Sequence, residues 1–263
     1  MFHEIRYLNK IQEYDGVYTF HFKHSISYEA GMYVHLIKPE TQGALNGDTV
    51  RHMSFSSAPS DPHLTFTMDT ASNTPFKAAM LKLSPGDNIE LFKIKFKHFK
   101  PAWEIVKGKG GGLSKGSSTC SGEIKDNKKR KRTSATEPCV PSVTSHLPSI
   151  LFIAGGIGAT PVRSLIREHG NIINWRLVHV ARDQKHLYEK EFTTSYNNVQ
   201  LRTDHAGAEE SVTVAIAEHK PDWIYVCGSE RFAAGMQEIL RREGVSEEKI
   251  RVESFRGGLR SKQ

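Results

Sequence analysis

A glycine-rich turn lies where a buried strand should end and a helix should begin. The run Ile150–Ala154 is continuously apolar, as expected for a parallel strand covered on both faces. Glycines beyond such a strand let the backbone approach a pyrophosphate, and the first N–H groups of the helix have no partner within it. The turn therefore predicts a nucleotide-phosphate site rather than an ordinary tight turn. The residues concerned are Gly155, Gly156, Gly158, Thr160 and Pro161.

A second motif, Cys227-Gly228-Ser229-Glu230, closes the apolar run Trp223–Cys227, and Met236 lies eight residues beyond Gly228. Open α/β sheets bind ligands at the carboxyl ends of their parallel strands, so this position suits a ligand site. Taken alone, Cys227 has a second interpretation as a small buried hydrophobic side chain.

The third motif is Arg51-His52-Met53-Ser54-Phe55-Ser56-Ser57, near the amino terminus. An arginine fork can hold a phosphate through two hydrogen bonds, and a nearby serine can bond to a heterocycle. Arg51 is also open to interpretation as an ordinary surface residue.

The elements that must position these motifs differ between the two ends of the chain. Residues 1–103 contain short stretches that alternate at period two, such as Val17–Phe22 and Leu64–Met68. Thr74 and Pro75 mark the start of a short helix that runs to Leu83. Many short strands with one helix predict a small antiparallel β-barrel.

Residues 148–263 alternate strand and helix, which is typical of a doubly wound α/β domain with a parallel sheet. The predicted strands after Ile150–Ala154 are Arg176–Val180, Val199–Thr203, Trp223–Cys227 and Ile250–Phe255. The predicted helices are Pro161–Glu168, Leu187–Tyr196, Glu210–His219 and Phe232–Arg242.

Between these halves, residues 104–147 are predicted to form a flexible insert. Lys107–Leu147 holds nine Lys and Arg against three acids, so it carries +6 of the net charge of +7, and it has no Phe, Tyr or Trp. Such a composition buries too little apolar surface to offset the entropy lost on ordering. The run Lys128–Arg132 has alternative interpretations as a nuclear-import or nucleic-acid patch. Without interleaved aromatic residues, nucleic-acid binding is the weaker hypothesis.

Composition sets the broad class of the protein. With 263 residues, 38% hydrophobic and 25% charged, the chain is expected to be globular. No apolar run is long enough to span a bilayer, and the amino terminus lacks a secretory pattern. Three cysteines are too few for a disulfide framework or a four-thiolate cluster, and no spacing of the 13 histidines suggests a zinc site. We therefore expect no metal, no membrane contact and a cytoplasmic location, with the nucleus as the alternative through Lys128–Arg132.

In this order, the three motifs resemble those of the ferredoxin–NADP reductase-like flavoprotein superfamily, over nearly the whole chain except the insert. The resemblance implies an FAD-binding barrel followed by an NAD(P)-binding domain. It places Arg51 on the flavin pyrophosphate, Ser54 on the reactive flavin nitrogen, and Cys227 with Gly228 and Met236 near the nicotinamide. Further cofactor or catalytic positions that it implies are Met53, Ser57, Thr74, Glu253 and Phe255.

Two departures from the superfamily are visible. Met53 stands where a flavin-stacking Tyr or Phe is usual, and Lys93–Phe99 replaces the usual Gly-Pro-x-Gly-x-Phe segment. After the second strand of the α/β half, a cation favours the 2′-phosphate of NADP, whereas an acid favours NAD. Arg182 and Tyr188 there favour NADPH over NADH, and Asp183 argues for NADH.

The predicted function is a flavin-dependent NAD(P)H oxidoreductase. Hydride would pass from the nicotinamide to FAD, and electrons would then pass to a separate acceptor, either a small redox protein or a diffusible oxidant. The alternative is an NAD(P)-binding regulatory or redox-sensing module whose barrel has lost its flavin. Met53 and the lysine-rich segment favour that alternative.

Overall fold

The computed structural model describes residues 1–41, 45, 49–72, 74–102 and 147–255, with the side chain of Asp183 left out. The predicted insert 104–147, apart from Leu147, lies outside these residues, as does its run Lys128–Arg132. The described segments on the two sides of the insert pack into one compact unit.

The first half is an antiparallel sheet of six strands in the order β4-β3-β6-β1-β2-β5. The strands are β1 (Phe2–Tyr14), β2 (Val17–Lys23), β3 (Tyr33–Ile37), β4 (Val50–Ser54), β5 (His63–Asp69) and β6 (Asn88–Lys95). Within the described part of the chain, the edge strands β4 and β5 form no ladder, and an isolated bridge between Phe55 and Phe66 joins their neighbourhoods. The sheet is therefore an incompletely closed barrel.

Alternation along the strands fills this barrel. Phe20 and Phe22 of β2 point to the same interior as Val34 and Leu36 of β3, and all four are fully buried. Helix α1 (Pro75–Leu81) adds two more buried side chains, Phe76 and Met80. The Thr74 side chain accepts a hydrogen bond from the Lys77 N–H at 3.5 Å, so the predicted cap is confirmed.

The second half is a parallel sheet of five strands in the order β11-β10-β7-β8-β9. The strands are β7 (Ser149–Gly155), β8 (Asn174–Val180), β9 (Val199–Arg202), β10 (Trp223–Ser229) and β11 (Ile250–Phe255). The helices are α2 (Ala159–His169), α3 (Glu189–Ser195), α4 (His205–His219) and α5 (Glu230–Arg242). The predicted combination of antiparallel barrel and doubly wound α/β domain is confirmed. The strand order reverses between β7 and β10, so the ligand crevice of a doubly wound sheet is expected at their carboxyl ends.

Helix α2 connects the two halves. The Arg163 guanidinium donates to the carbonyl oxygen of Ser56 at 2.7 Å, and the Ser164 hydroxyl donates to that of Ser57 at 2.6 Å. One turn further on, Arg167 Nε lies 2.9 Å from a carboxylate oxygen of Asp61. These bonds hold the segment that follows β4 against the helix that follows the glycine turn.

The segment after β6 is held against the parallel sheet by Tyr225 of β10. Its hydroxyl accepts a hydrogen bond from the Ala102 N–H at 2.7 Å and donates to the Lys100 carbonyl at 2.9 Å. The ring of Phe99 meets the Tyr225 ring edge-on, with centroids 5.2 Å apart. The lysine-rich segment therefore runs close to β10.

Candidate functional site

The glycine turn has the conformation that close packing and an approaching ligand require. Gly156 begins a short 3-10 turn, Gly156–Gly158, with φ +52°, and a Cβ there would meet no described atom within 4 Å. A Cβ on Gly158 would lie 2.2 Å from the carbonyl oxygen of Cys227. Glycine is therefore needed at position 156 because the backbone there is left-handed, although the space around it is open. Glycine is needed at position 158 because any side chain would collide with β10.

Phe232 lies across the other two glycines. A Cβ built on Gly155 would lie 2.7 Å from the Phe232 ring, and a Cβ built on Gly228 would lie 2.5 Å from it. Phe232 is half-buried in the first turn of α5, whereas Met236 is fully buried in the apolar core of that helix. We therefore withdraw Met236 as a nucleotide contact. Phe232, four residues after Gly228, contacts two of the predicted glycines and was not among the predicted site residues.

Thr160 and Pro161 are both in the first turn of α2, directly after the glycines. The Thr160 hydroxyl is buried and has no hydrogen-bond partner among the described residues. Buried polar groups are normally paired, so a free hydroxyl beside unpaired helix N–H groups suits an anionic ligand. The residues of this turn therefore fit a nucleotide phosphate.

Cys227 and Glu253 stand opposite each other on β10 and β11. Burial raises the pKa of the Cys227 thiol well above its usual value, and the nearby Glu253 raises it further. Burial also raises the pKa of Glu253 to about 7, although Lys97 and a hydrogen bond from the backbone of His98 act in the opposite direction. Cys227 is therefore a neutral thiol at pH 7, and Glu253 can hold or release a proton there.

Glu253, a position implied by the resemblance, lies in the interior of the protein. Only 5% of the residue is exposed, and Oε2 has no partner in the described part of the chain. Phe255 is half-buried at the end of β11, opposite Ser229. Glu253 and Phe255 thus lie on the strand that borders the Cys227 side of the crevice.

Two cations meet near the start of α1 in the barrel half. The Arg51 guanidinium lies 5.4 Å from the centroid of the Phe76 ring. Burial lowers the pKa of Lys77, Arg51 lowers it further, and Asp69 raises it, so Arg51 and Lys77 are neighbours. Thr74 caps the helix at the same place. Two cations beside a helix start fit a phosphate, and Lys77 is a residue that the sequence analysis had left out of the site.

Ser54 and Ser57 have different environments. Ser54 ends β4 opposite Tyr33 of β3. The hydroxyl of Ser57 shares a hydrogen bond with Tyr28 at 2.8 Å and accepts one from the Thr65 N–H at 2.9 Å. Ser57 is fully buried, so its hydroxyl is engaged within the barrel and we withdraw it as a flavin ligand. Met53 is partly buried against the barrel core.

We expect Ser57→Ala to lower the free energy of unfolding by about 1–2 kcal/mol, because the Tyr28 hydroxyl and the Thr65 N–H would lose a buried hydrogen-bond partner. For the predicted flavin-dependent function, the rate of flavin reduction in the folded variant should stay unchanged. Ser54→Ala should do the reverse, slowing flavin reduction while stability is kept. Urea unfolding and stopped-flow absorbance measure the two effects. Equal effects of both substitutions on reduction would contradict the distinction.

Lys97 connects the two halves of the site electrostatically. Its charge acts on the pKa values of Cys227 and Glu253 in the parallel sheet, and also on that of His52 in β4. Lys97 follows β6, where Lys93 has φ +52°, a left-handed conformation that favours glycine. The lysine-rich segment thus lies between the barrel and the Cys227 crevice.

The two residues predicted to select the nucleotide are in unlike places. Arg182 is exposed directly after β8. Tyr188 is buried, its hydroxyl is hydrogen-bonded to Thr67 of β5, and the Arg163 guanidinium lies 4.7 Å from its ring centroid. Tyr188 therefore belongs to the contact between the two halves, and we withdraw it as a nucleotide ligand.

By sequence, no protein-family model and no curated protein matches the chain. Solved structures do match. The ferredoxin–NADP+ reductase from Plasmodium falciparum is 16% identical with a TM-score of 0.63, covering 96% of this chain and 95% of that one. The flavohem-like FAD/NAD-binding domain of nitric oxide dioxygenase from Vibrio cholerae is 15% identical, with a TM-score of 0.63 and coverages of 97% and 98%.

The chain has the ferredoxin–NADP+ reductase-like fold. The Amycolatopsis cytochrome P450 reductase GcoB shares it, at 12% identity and a TM-score of 0.65, over 98% of this chain and 71% of that one. The predicted resemblance is thereby confirmed for the fold.

In this reductase-like fold, the structure brings the glycine turn, Cys227, Gly228 and Glu253 together near the carboxyl ends of the strands. Arg51 and Thr74 lie together at α1. None of the described helices is long and apolar enough to cross a membrane. No group of three His, Cys, Asp or Glu within the described ranges could hold a metal ion.

Proposed function

We propose that the protein is a flavin-dependent NAD(P)H oxidoreductase that passes electrons to a separate acceptor. The observation that carries the proposal is the glycine turn at the reversal of strand order. Gly158 packs against Cys227, and the Thr160 hydroxyl beside the turn has no partner in the described part of the chain. Such a crevice is where doubly wound sheets bind nucleotides. Solved structures of the same fold are described as reductases and as an FAD/NAD-binding domain, which supports the proposal.

The proposed nucleotide site uses the backbone of the turn. The pyrophosphate would lie at Gly156, whose open side admits it, and the Thr160 hydroxyl would donate to a phosphate oxygen. Exposed Arg182 could pair with a 2′-phosphate, which favours NADPH over NADH. The neutral thiol of Cys227 would serve as a small apolar neighbour of the nicotinamide rather than as a nucleophile.

The proposed FAD site uses the barrel. Arg51, Lys77 and Thr74 would hold the pyrophosphate, because they place two cations at a helix start. When bound, the flavin supplies the ability to accept hydride from the nicotinamide and to release electrons singly. The hydroxyl of Ser54 would bond to the flavin ring nitrogen, and Phe255 would cover one face of the ring.

Glu253 is the proposed proton-holding group. It is buried near Cys227 and Lys97, and its pKa of about 7 allows both protonation states under physiological conditions. Lys97 stabilises the ionised form, whereas burial stabilises the neutral form. The side chain can thus accept or donate a proton without a large cost in free energy.

The test begins with the purified full-length protein. We expect it to carry flavin absorbance that NADPH bleaches in the absence of oxygen. Arg51→Ala should lose most of the flavin but keep NADPH affinity, because Arg51 lies on the barrel side. Arg176→Ala is the matched control, since Arg176 pairs with Glu218 on the surface. Assays with small redox proteins and dye oxidants would then identify the acceptor class.

A second candidate function is a flavin-free NAD(P)-binding module with a regulatory or redox-sensing role. Two features favour this candidate. Met53 on β4 replaces a ring that would stack on a flavin, and the lysines after Phe92 replace a glycine-rich segment that would pass close to it. A colourless protein that binds NADPH and gains no activity from added FAD would select this candidate. A protein that binds neither would contradict both.

A further inference from the structure

One buried imidazole is bonded directly to the glycine turn. His179 lies on β8 beside Ala154 of β7 and is fully buried. Its Nε2 is 3.2 Å from the carbonyl oxygen of Gly156. A carbonyl oxygen can only accept a hydrogen bond, so Nε2 carries the proton and donates. Nδ1 then carries the lone pair, and it has no partner among the described residues.

His179 keeps this neutral form at physiological pH. Burial lowers its pKa to about 4, and His186 lowers it too, although the bond to Gly156 acts in the opposite direction. The centroids of the two imidazole rings are 5.1 Å apart. A neutral imidazole has one N–H, so the whole donor capacity of His179 is used on Gly156.

The Gly156 carbonyl therefore has two donors, His179 from the sheet and the N–H of Ala159 from the start of α2. With both lone pairs used, the peptide plane between Gly156 and Ile157 has a set orientation. A trans peptide is planar, so the N–H of Ile157 points away from the carbonyl. Because the Gly156 carbonyl is hydrogen-bonded towards β8, the N–H of Ile157 points away from β8. The turn is open at Gly156.

We propose that His179 is a positioning residue for the nucleotide pyrophosphate, holding the Gly156 peptide so that the N–H of Ile157 is available to a phosphate oxygen. The inference rests on the proposed function, because it takes the nucleotide to bind at this turn. His179 acts through Gly156, and its own side chain is buried away from the ligand. Without the imidazole, the left-handed peptide would be held by one hydrogen bond instead of two.

The test is the dissociation constant of NADPH for the full-length protein, measured by titration calorimetry. His179→Phe keeps a ring but removes the donor, and we expect affinity to fall about tenfold, as for the loss of a buried hydrogen bond. His179→Gln places an amide N–H near the position of Nε2 and should restore affinity to within about threefold. In the reductase assay, KM should rise for His179→Phe while kcat changes little. His186→Phe is the matched control and should leave affinity unchanged.

The outcomes separate this inference from the proposed function. A wild-type protein that does not bind NADPH would overturn the proposed function and, with it, the role of His179. Wild-type binding with unchanged affinity in His179→Phe would overturn the inference alone. A loss of NADPH affinity in His179→Phe that His179→Gln does not restore would also overturn the inference, because it indicates a packing role for His179. If His179→Phe fails to fold, the NADPH affinities of His179→Gln and His179→Asn are compared instead. The shorter amide of asparagine cannot reach Gly156, so equal affinities would contradict the proposal.

Discussion

Gly158→Ala is expected to weaken NADPH binding by about a hundredfold or more. The new Cβ would lie 2.2 Å from the carbonyl oxygen of Cys227, 2.6 Å from its carbonyl carbon and 2.9 Å from the Gly228 nitrogen. These are backbone atoms of β10, which is paired on both sides, so the strand cannot give way. The turn must move instead, and a displacement of about 1 Å in a positioning element can cost about a hundredfold. Fluorescence titration with NADPH measures the loss.

Gly244→Ala is the matched control for this substitution. Gly244 has a left-handed backbone, with φ +72°, whereas Gly158 is right-handed, and a Cβ on Gly244 would meet no described atom within 4 Å. The control should lose about 1 kcal/mol of stability to backbone strain and bind NADPH normally. If Gly158→Ala is folded by circular dichroism and binds NADPH as tightly as the wild type, the turn is not the nucleotide site.

Glu253→Gln is expected to stabilise the protein at pH 8 by up to about 3 kcal/mol. The pKa of Glu253 is raised from 4.5 to about 7, so the folded state holds the proton more tightly than the unfolded state. The contribution of Glu253 to the free energy of unfolding is greatest below pH 4.5 and falls as the pH rises towards 7. Above pH 7 it stays at its lowest value, because the buried carboxylate is then ionised. Glutamine keeps the shape without ionising, so the variant avoids this cost. The gain should vanish near pH 4.5.

Urea unfolding of the two proteins at pH 5, 6.5 and 8 measures this difference. Other titrating groups are common to both proteins and cancel in the comparison. Glu210→Gln, at an exposed position on α4, is the control for the exchange of a carboxyl for an amide. A difference between Glu253→Gln and wild type that does not change between pH 5 and pH 8 would contradict the assignment.

Local patterns in the sequence predicted many of the elements well. Strand β11 has the predicted bounds, and β2, β5 and β10 differ by one or two residues. Alternation at period two, or an unbroken apolar run, reports directly which faces of a strand are buried, so these elements are visible without tertiary information. The glycine turn was visible for the same reason, because strand, glycines and helix start are neighbours in the chain.

Elements without such a pattern were missed. Strand β1 runs over 13 residues, Phe2–Tyr14, and much of it is exposed, so its polar residues hide the alternation. Its length comes from pairing with β6 at one end and β2 at the other. Helix α4 begins at His205, five residues before the predicted start, because the Asp204 side chain caps it by accepting from the Gly207 N–H.

What the sequence by itself determined is the set of local elements and the residue types at each strand end. These depend on backbone propensity and burial pattern over a few neighbouring residues. Only the tertiary structure decided which of those side chains are available. It placed Ser57 and Tyr188 in internal hydrogen bonds, brought Phe232 onto two glycines, and buried Glu253 near Lys97. Such contacts join residues far apart in the chain, and the charge and hydrogen bonding of a group depend on them rather than on its neighbours in sequence.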